Sequence, residues 1–288
     1  MHFHPKNTLQ KLDFPFLLKE LENLCSGSLG KKLLYQQSFI TDANELNKQL
    51  HFVKEAKEII ENDSQLPQYG FNELPFLQKL KIDNYYLDVK ELIELYYALS
   101  ATADVFRFFT PKARQQLYPF LSEKIAAYNL ELGLITSISK IIDIDKEIVK
   151  ENATPELSKI RRQIQDKIQD INAVFRRVLL YHKNQNFLAD TEETIRDGRR
   201  VLSVKAEFKR SIKGLITDES DNGNITYIEP NETLLLNNEL TELYLDERRE
   251  IHKILVELTT KIQPHKETIE SLQILMSELD VIRAKSYF

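Results

Sequence analysis

The chain has 288 residues, 42% of them hydrophobic, with 7 glycines, 9 prolines, 1 cysteine and a formal net charge of −5. This composition supports a packed core and excludes wholesale disorder, a uniformly basic nucleic-acid coat and an intrachain disulfide. Glycine far below the usual ~7% argues against sandwich, dinucleotide-binding and P-loop folds and points to long helices. The length suits two domains. The start, Met1 to Asn7, has no apolar signal core, and no apolar run approaches the ~18 residues a membrane span needs. A cytoplasmic, reducing location with no membrane partner is expected.

In chain order, Leu9, Leu12, Phe16, Leu17, Leu21 and Leu24 form one apolar stripe, broken at Ser26-Gly27-Ser28. A helix follows from Leu29 to Tyr35. Thr41-Asp42 opens another that runs to about Glu61, and Pro67 to Gly70 reads as a loop. Asp88 caps a helix through Phe109, and one more runs from Pro111 to about Leu130. The stripes are broad, so these helices are predicted to pack as a globular bundle.

The pattern narrows after Thr154-Pro155-Glu156, where Pro155 fits the first helical position behind a Thr cap. Leu157, Ile160, Ile164, Ile168, Ile171, Phe175 and Val178 make a single seam on a helix ending near Asn184. A second seam, Leu240, Leu243, Ile251, Ile254, Leu258 and Ile262, starts from a helix beginning near Asn231. Pro264 marks a break before a last helix carrying Ile269 to Ile282. Two seamed helices about fifty residues apart suggest an antiparallel coiled-coil arm. The segment between them is strand-like. Asp197-Gly198 is a strong type I′ hairpin signal between Thr194–Arg196 and Arg199–Lys205, with alternation along Val201 to Ala206. A second turn at Asp221 to Asn224 joins Gly214–Thr217 to Ile225–Ile228. The expected fold is mainly α: a helical core over 1–153, an arm over 154–263 with a small antiparallel β region at about 187–230, and a C-terminal helix over 264–288 returning to the core.

Between Lys159 and Lys213 there are fourteen basic and seven acidic residues, so this stretch is +7 and the rest of the chain −12. Lysine and arginine neutralise phosphates and release counterions, which gives sequence-independent affinity for nucleic acid. The competing reading is an ordinary charged surface with basic residues protecting a sheet edge. Arg196, Arg199, Arg200, Lys205, Lys209, Arg210 and Lys213 lie on or beside the hairpins and are the candidate phosphate contacts. The turn brings Arg196 and Arg199 together, and their repulsion suggests that a polyanion relieves it. On that reading, removing Arg199 and Arg200 leaves stability almost unchanged, as for exposed charges.

No glycine-rich phosphate loop, HExxH or Cys/His cluster occurs. His2-x-His4 sits at a terminus, and Asp143-x-Asp145-x-Glu147 reads as a solvated helix end. Asp218 to Asp221 reads as Asx-turn chemistry. Cys25, at the end of an apolar stripe, reads as buried and not as a nucleophile. His182, His252 and His265 have no evident partners. No catalytic or metal site can be assembled from these residues.

Several ordered motifs do combine. They are Thr194-Ile-Arg-Asp-Gly-Arg-Arg-Val-Leu-Ser-Val-Lys-Ala-Glu-Phe-Lys-Arg210, Lys213-Gly-Leu-Ile-Thr-Asp-Glu-Ser220, Thr226-Tyr-Ile-Glu-Pro230 and Leu236-Asn-Asn-Glu-Leu240. With them stand Thr8-Leu-Gln-Lys-Leu-Asp-Phe14, Ser26 to Leu33, Thr154-Pro-Glu-Leu-Ser-Lys-Ile-Arg-Arg162 and Glu278-Leu-Asp-Val-Ile-Arg-Ala-Lys285. Together they resemble the MutS family in its second bacterial type, the anti-recombination paralogue without a mismatch-reading N-terminal domain. Ser203, Thr217 and Asp221-Asn222 depart from the family pattern.

The resemblance implies a helical lever with a clamp at the tip of a coiled-coil arm. It implies DNA, branched or duplex, as a sequence-independent partner, and a role related to mismatch repair and the suppression of recombination. Engagement of the ribosome and its RNA by a rescue factor remains an alternative, as does a purely structural coiled-coil module. It further implies a homodimer in the full-length protein and a following ATPase domain that binds ATP and Mg, often with a C-terminal nuclease. The present residues would then be an N-terminal portion with no cofactor of their own.

Overall fold

The computed structural model describes residues 7–62, 72–82 and 84–288. The expected loop at Pro67 to Gly70 and the pair His2 and His4 lie outside the described residues. The element order is α1 (Thr8–Lys11), α2 (Phe14–Leu24), α3 (Ser28–Gln36), α4 (Ala43–Asn62), α5 (Phe76–Lys79), α6 (Val89–Phe109), α7 (Lys112–Leu117), α8 (Pro119–Ala126) and α9 (Leu132–Ile141). Then come β1 (Ile142–Asp143), β2 (Ile148–Val149), α10 (Pro155–Asn184), β3 (Leu188–Arg196), β4 (Arg199–Lys205), β5 (Gly214–Glu219), β6 (Ile225–Pro230), α11 (Asn231–Ile262) and α12 (Lys266–Tyr287). The protein is mainly helical with two small antiparallel sheets. It divides into two compact units, Met1–Lys150 with Leu255–Phe288, and Glu151–Ile254.

The first unit is built on buried apolar faces and a few buried carboxylates that cap helices. In α6, Asp88 and Glu91 form a reciprocal capping box, and Leu92, Leu95, Leu99 and Val105 are buried. The predicted helix from Pro111 breaks at Tyr118. Glu55, buried on α4, accepts hydrogen bonds from the Phe120 and Leu121 N–H groups at 2.9 and 2.8 Å. These two donors start α8 behind Pro119, so a distant carboxylate caps what sequence reads as one helix. Burial pushes the Glu55 carboxyl up, and the two N–H groups oppose that shift.

The first predicted stripe also breaks, at Asp13, whose φ is 54°. Asp143 to Glu147 is not a helix end. It is the turn of a two-stranded ribbon, with Ile142 paired to Val149 and Asp143 to Ile148. Asp143 Oδ1 accepts from the Lys146 N–H, and Glu147 has a φ of 55°. Carboxylate chemistry at a tight turn explains this run without a metal.

Asp280 on α12 is the second buried cap. It is 1% exposed and accepts from Ser26 N at 3.0 Å and Gly27 N at 2.9 Å, at the start of α3. Arg283 bonds the same carboxylate at 3.1 Å. Two sequence motifs 250 residues apart, Ser26 to Leu33 and Glu278 to Lys285, therefore meet through one side chain. Gly30 allows the approach, because a Cβ there would stand 2.3 Å from Asp280 Oδ2. Leu21, Cys25, Leu34, Val281 and Ala284 pack beside it.

Gly30→Ala should force Asp280 off its two N–H donors and lower the unfolding free energy by about 2–3 kcal/mol in a urea titration. An unchanged midpoint would contradict the Asp280 cap. Burial, with the Asp280 carboxylate nearby, pushes the Cys25 thiol up to about 11. Cys25 should therefore resist a thiol-disulfide reagent at pH 8 in the native protein and react at once in denaturant.

Candidate nucleic-acid interface

The second unit holds the basic stretch. Thr154 caps α10 by accepting from Leu157 N at 3.1 Å, with Pro155 at the first helical position. Leu157, Ile160, Ile164, Ile171 and Phe175 bury the seam. Within this unit α10 runs antiparallel to α11. Thr154 bonds Glu250 at 3.0 Å, Arg161 bonds Glu247 at 2.7 Å and Lys167 bonds Glu239 at 2.6 Å, so partner numbers fall as α10 advances.

The strands form one sheet in the order β3-β4-β6-β5. Asp197 and Gly198 take φ values of 49° and 76°, as a type I′ turn requires, and Arg196 pairs directly with Arg199. The alternation along β4 holds, with Leu202 and Val204 on one face and Val201 and Ser203 on the other, but all four are buried. The pleat shows why. Leu202 and Val204 share a face with Ile228 and pack with Phe175 of α10 and Leu188. Arg199, Val201 and Ser203 share the opposite face with Tyr227 and Glu229, and that face is bonded to α11. The central strand β4 is held between two helices, so both faces of the sheet are covered there, while β5 at the edge stays largely exposed.

Adjacent arginines make these two attachments. Arg199 Nη1 reaches both carboxylate oxygens of Glu229, at 3.1 and 2.9 Å, and Nη2 donates to Asn238 Oδ1 at 3.0 Å. Glu229 is 1% exposed and also accepts from Asn237 Nδ2 at 2.7 Å. On the other face Arg200 bonds Glu193 at 2.5 and 3.1 Å and Asn172 of α10 at 2.7 Å. Its guanidinium lies 4.4 Å from the Phe175 ring centre. Arg196 bonds Asp218 at 3.3 Å and lies 4.2 Å from the Tyr227 ring centre.

The expected repulsion between Arg196 and Arg199 is thus corrected. Each has its own carboxylate, supplied by β5 and β6, strands that the basic stretch does not include. Lys205 donates to the Asn186 carbonyl at 3.1 Å, and Lys209 pairs with Glu219 at 3.1 Å. Of the seven candidates only Arg210 and Lys213 are exposed with no side-chain partner among the described residues. Arg176 and Arg177 on α10 are in the same state and were not among the candidates. Their signal was present in the sequence, since they flank Phe175 and Val178 of the seam and must point away from it. Counted whole, Glu151–Ile254 holds seventeen basic and nineteen acidic residues, so the basic excess belongs to α10 and the strands and not to the unit.

Among the described residues no three His, Cys, Asp or Glu side chains converge on a metal position, and no helix is long and apolar enough to cross a membrane.

Breaking a buried ion pair strands the remaining charge, which costs about 3–5 kcal/mol. Arg199→Ala should lower stability by that order in chemical denaturation. Arg200→Ala, whose partner Glu193 is half-exposed and keeps access to water when left alone, should cost less, about 1 kcal/mol. Equal small effects would restore the expectation that both arginines are dispensable for folding.

No family model matches the chain. It is 31% identical over 281 residues to a protein named Endonuclease MutS2 from Alkaliphilus oremlandii, covering 97% of this chain and 35% of that protein. It is 34% identical over 211 residues to one of the same name from Streptococcus thermophilus, covering 73% of this chain and 26% of that protein. A third, from Finegoldia magna, is 28% identical over 98% of this chain and 36% of its own length. The chain spans about a third of the length of these curated relatives, and over that span it is MutS2-like in sequence.

Proposed function

We propose that this chain is the lever and clamp portion of a MutS2-type protein that engages branched or duplex DNA without reading sequence and acts against homologous recombination. Similarity to Endonuclease MutS2 proteins over 97% of the chain carries this reading. In it, α10 and α11 form the coiled-coil arm, and the sheet β3 to β6 is the clamp. ATP, Mg and much of the dimer contact belong to a separate ATPase domain of the full-length protein.

The side-chain inventory adds a mechanism. Arginines committed to carboxylates are poorly placed to neutralise phosphate, since a phosphate must first displace a bonded partner. The free cations Arg176, Arg177, Arg210 and Lys213 pay no such exchange. Contacts of this kind position a backbone and carry no sequence information.

Four-way DNA, duplex DNA of equal length and ribosomes should be compared at one salt concentration, followed by a salt titration on the duplex. Junction DNA should bind tightest. Each phosphate neutralised contributes about 0.9 to the slope of log K against log salt. Replacing Arg176, Arg177, Arg210 and Lys213 together by Ala should flatten the slope by roughly 2–4 units, alike on different sequences. Tightest binding to ribosomes would move the partner to ribosomal RNA. Absence of salt-dependent binding to any of the three would leave only a structural module.

A further inference from the structure

Arg177 and Lys213 do more than remain free, because they line one groove of about 500 Å³ in the second unit. Tyr181, His182, Ser211 and Glu232 complete its polar and aromatic wall. Tyr181 is 63% exposed and begins a row of rings. Its ring meets His182 edge-on at 5.0 Å, His182 stacks on Phe187 at 6.0 Å, and Phe187 stacks on Phe208 at 4.8 Å. The other three rings are buried or half-buried, so only the outermost offers a free face. His182 is 8% exposed, and its Nδ1 is buried with no hydrogen-bond partner. Such an atom leaves a hydrogen bond for water or a ligand group to complete.

We propose that this groove binds an unpaired nucleotide of a nucleic-acid strand. Arg177 and Lys213 meet its phosphate, the Ser211 hydroxyl donates to the same phosphate, and its base stacks on Tyr181. The inference rests on the nucleic-acid reading above and deepens it. A flexible strand can turn a base out onto an aromatic ring while its phosphate stays on the cations. A duplex presents phosphate alone, because its bases are already stacked, and so leaves Tyr181 uncovered. Glu232 reduces the groove to a net single positive charge, which limits what a dense polyanion gains there. The shared chemistry of phosphate and base fits DNA and RNA alike, so both belong in the test.

The test uses fluorescence anisotropy on the 288-residue chain with labelled oligo(dU) and oligo(U) of about twelve nucleotides, which carry the same base. An abasic strand of that length and a duplex are titrated at the same salt concentration. The wild-type chain should bind at least one of the two base-bearing strands about tenfold tighter than the abasic strand, the range one stacked base supplies. The stronger of the two identifies the sugar. Tyr181→Ala should bring that strand down to the abasic level, and Tyr181→Phe should keep the preference. Arg177→Ala with Lys213→Ala should weaken base-bearing and abasic strands together. Equal affinity for base-bearing and abasic strands, or no effect of Tyr181→Ala, would overturn the proposal while salt-dependent duplex binding kept the broader reading intact. Failure of the wild-type chain to bind any of the four at low salt would overturn both.

Discussion

One buried carboxylate organises the second unit. Glu229, on β6, sits where the sheet meets α11, and water cannot reach it. A charge in that position is tolerable only if it is paired and its lone pairs are filled. Arg199 from β4 supplies the pair, and Asn237 from α11 supplies a further donor. Asn238 then occupies the free edge of the same guanidinium. β4 is thereby fixed in register against β6 and the start of α11, which follow one another directly in the chain. A slip of β4 by one residue turns Arg199 to the α10 face, and in the direction that puts Gly198 in its place Glu229 is left unpaired, so the cluster disfavours that slip.

The neighbouring arginine completes the arrangement from the other side. Arg200 takes Asn172 of α10 and lies over Phe175. Consecutive residues on a strand point to opposite faces, so an Arg-Arg pair can bolt a sheet to two different helices. This explains a strand whose four central residues are buried on both faces. It also accounts for several motif residues at once. Arg199, Glu229, Asn237 and Asn238 come from three separate sequence runs and form a single polar cluster. In the first unit Asp280 plays the corresponding part, joining the start of α3 to α12 with Gly30 leaving it room.

Much of the fold was legible because it is local. The seam from Leu157 to Val178 and the Thr154-Pro155 cap gave α10 with its ends, and Asp197-Gly198 gave the hairpin. Pro264 lies in the short turn between α11 and α12, as the break required. What escaped is long-range. Glu55 caps α8 from α4, so no pattern around Tyr118 reveals that helix start. The β1–β2 ribbon is two residues per strand, too short for periodicity to register.

The candidate site suffered from the same limit. A charge window records Arg196, Arg199 and Lys209, but not that Asp218, Glu229 and Glu219 return to them from beyond its edge. Basic residues that folding has neutralised and basic residues left free look alike in a sequence. Only pairing separates Arg196, Arg199 and Arg200 from Arg176, Arg177, Arg210 and Lys213.

The claim on which this rests is that Arg199 and Glu229 are energetically coupled inside the fold. A double-mutant cycle on unfolding, with Arg199→Ala, Glu229→Ala and the two combined, measures that coupling without any ligand. Residues joined in one buried network show interaction energies of about 0.5–3 kcal/mol. The account predicts a value in the upper half of that range, with the double variant more stable than the sum of the two single losses implies. Additive losses within about 0.3–0.5 kcal/mol would show that the two residues are independent, and the sheet's attachment to α11 would need another cause.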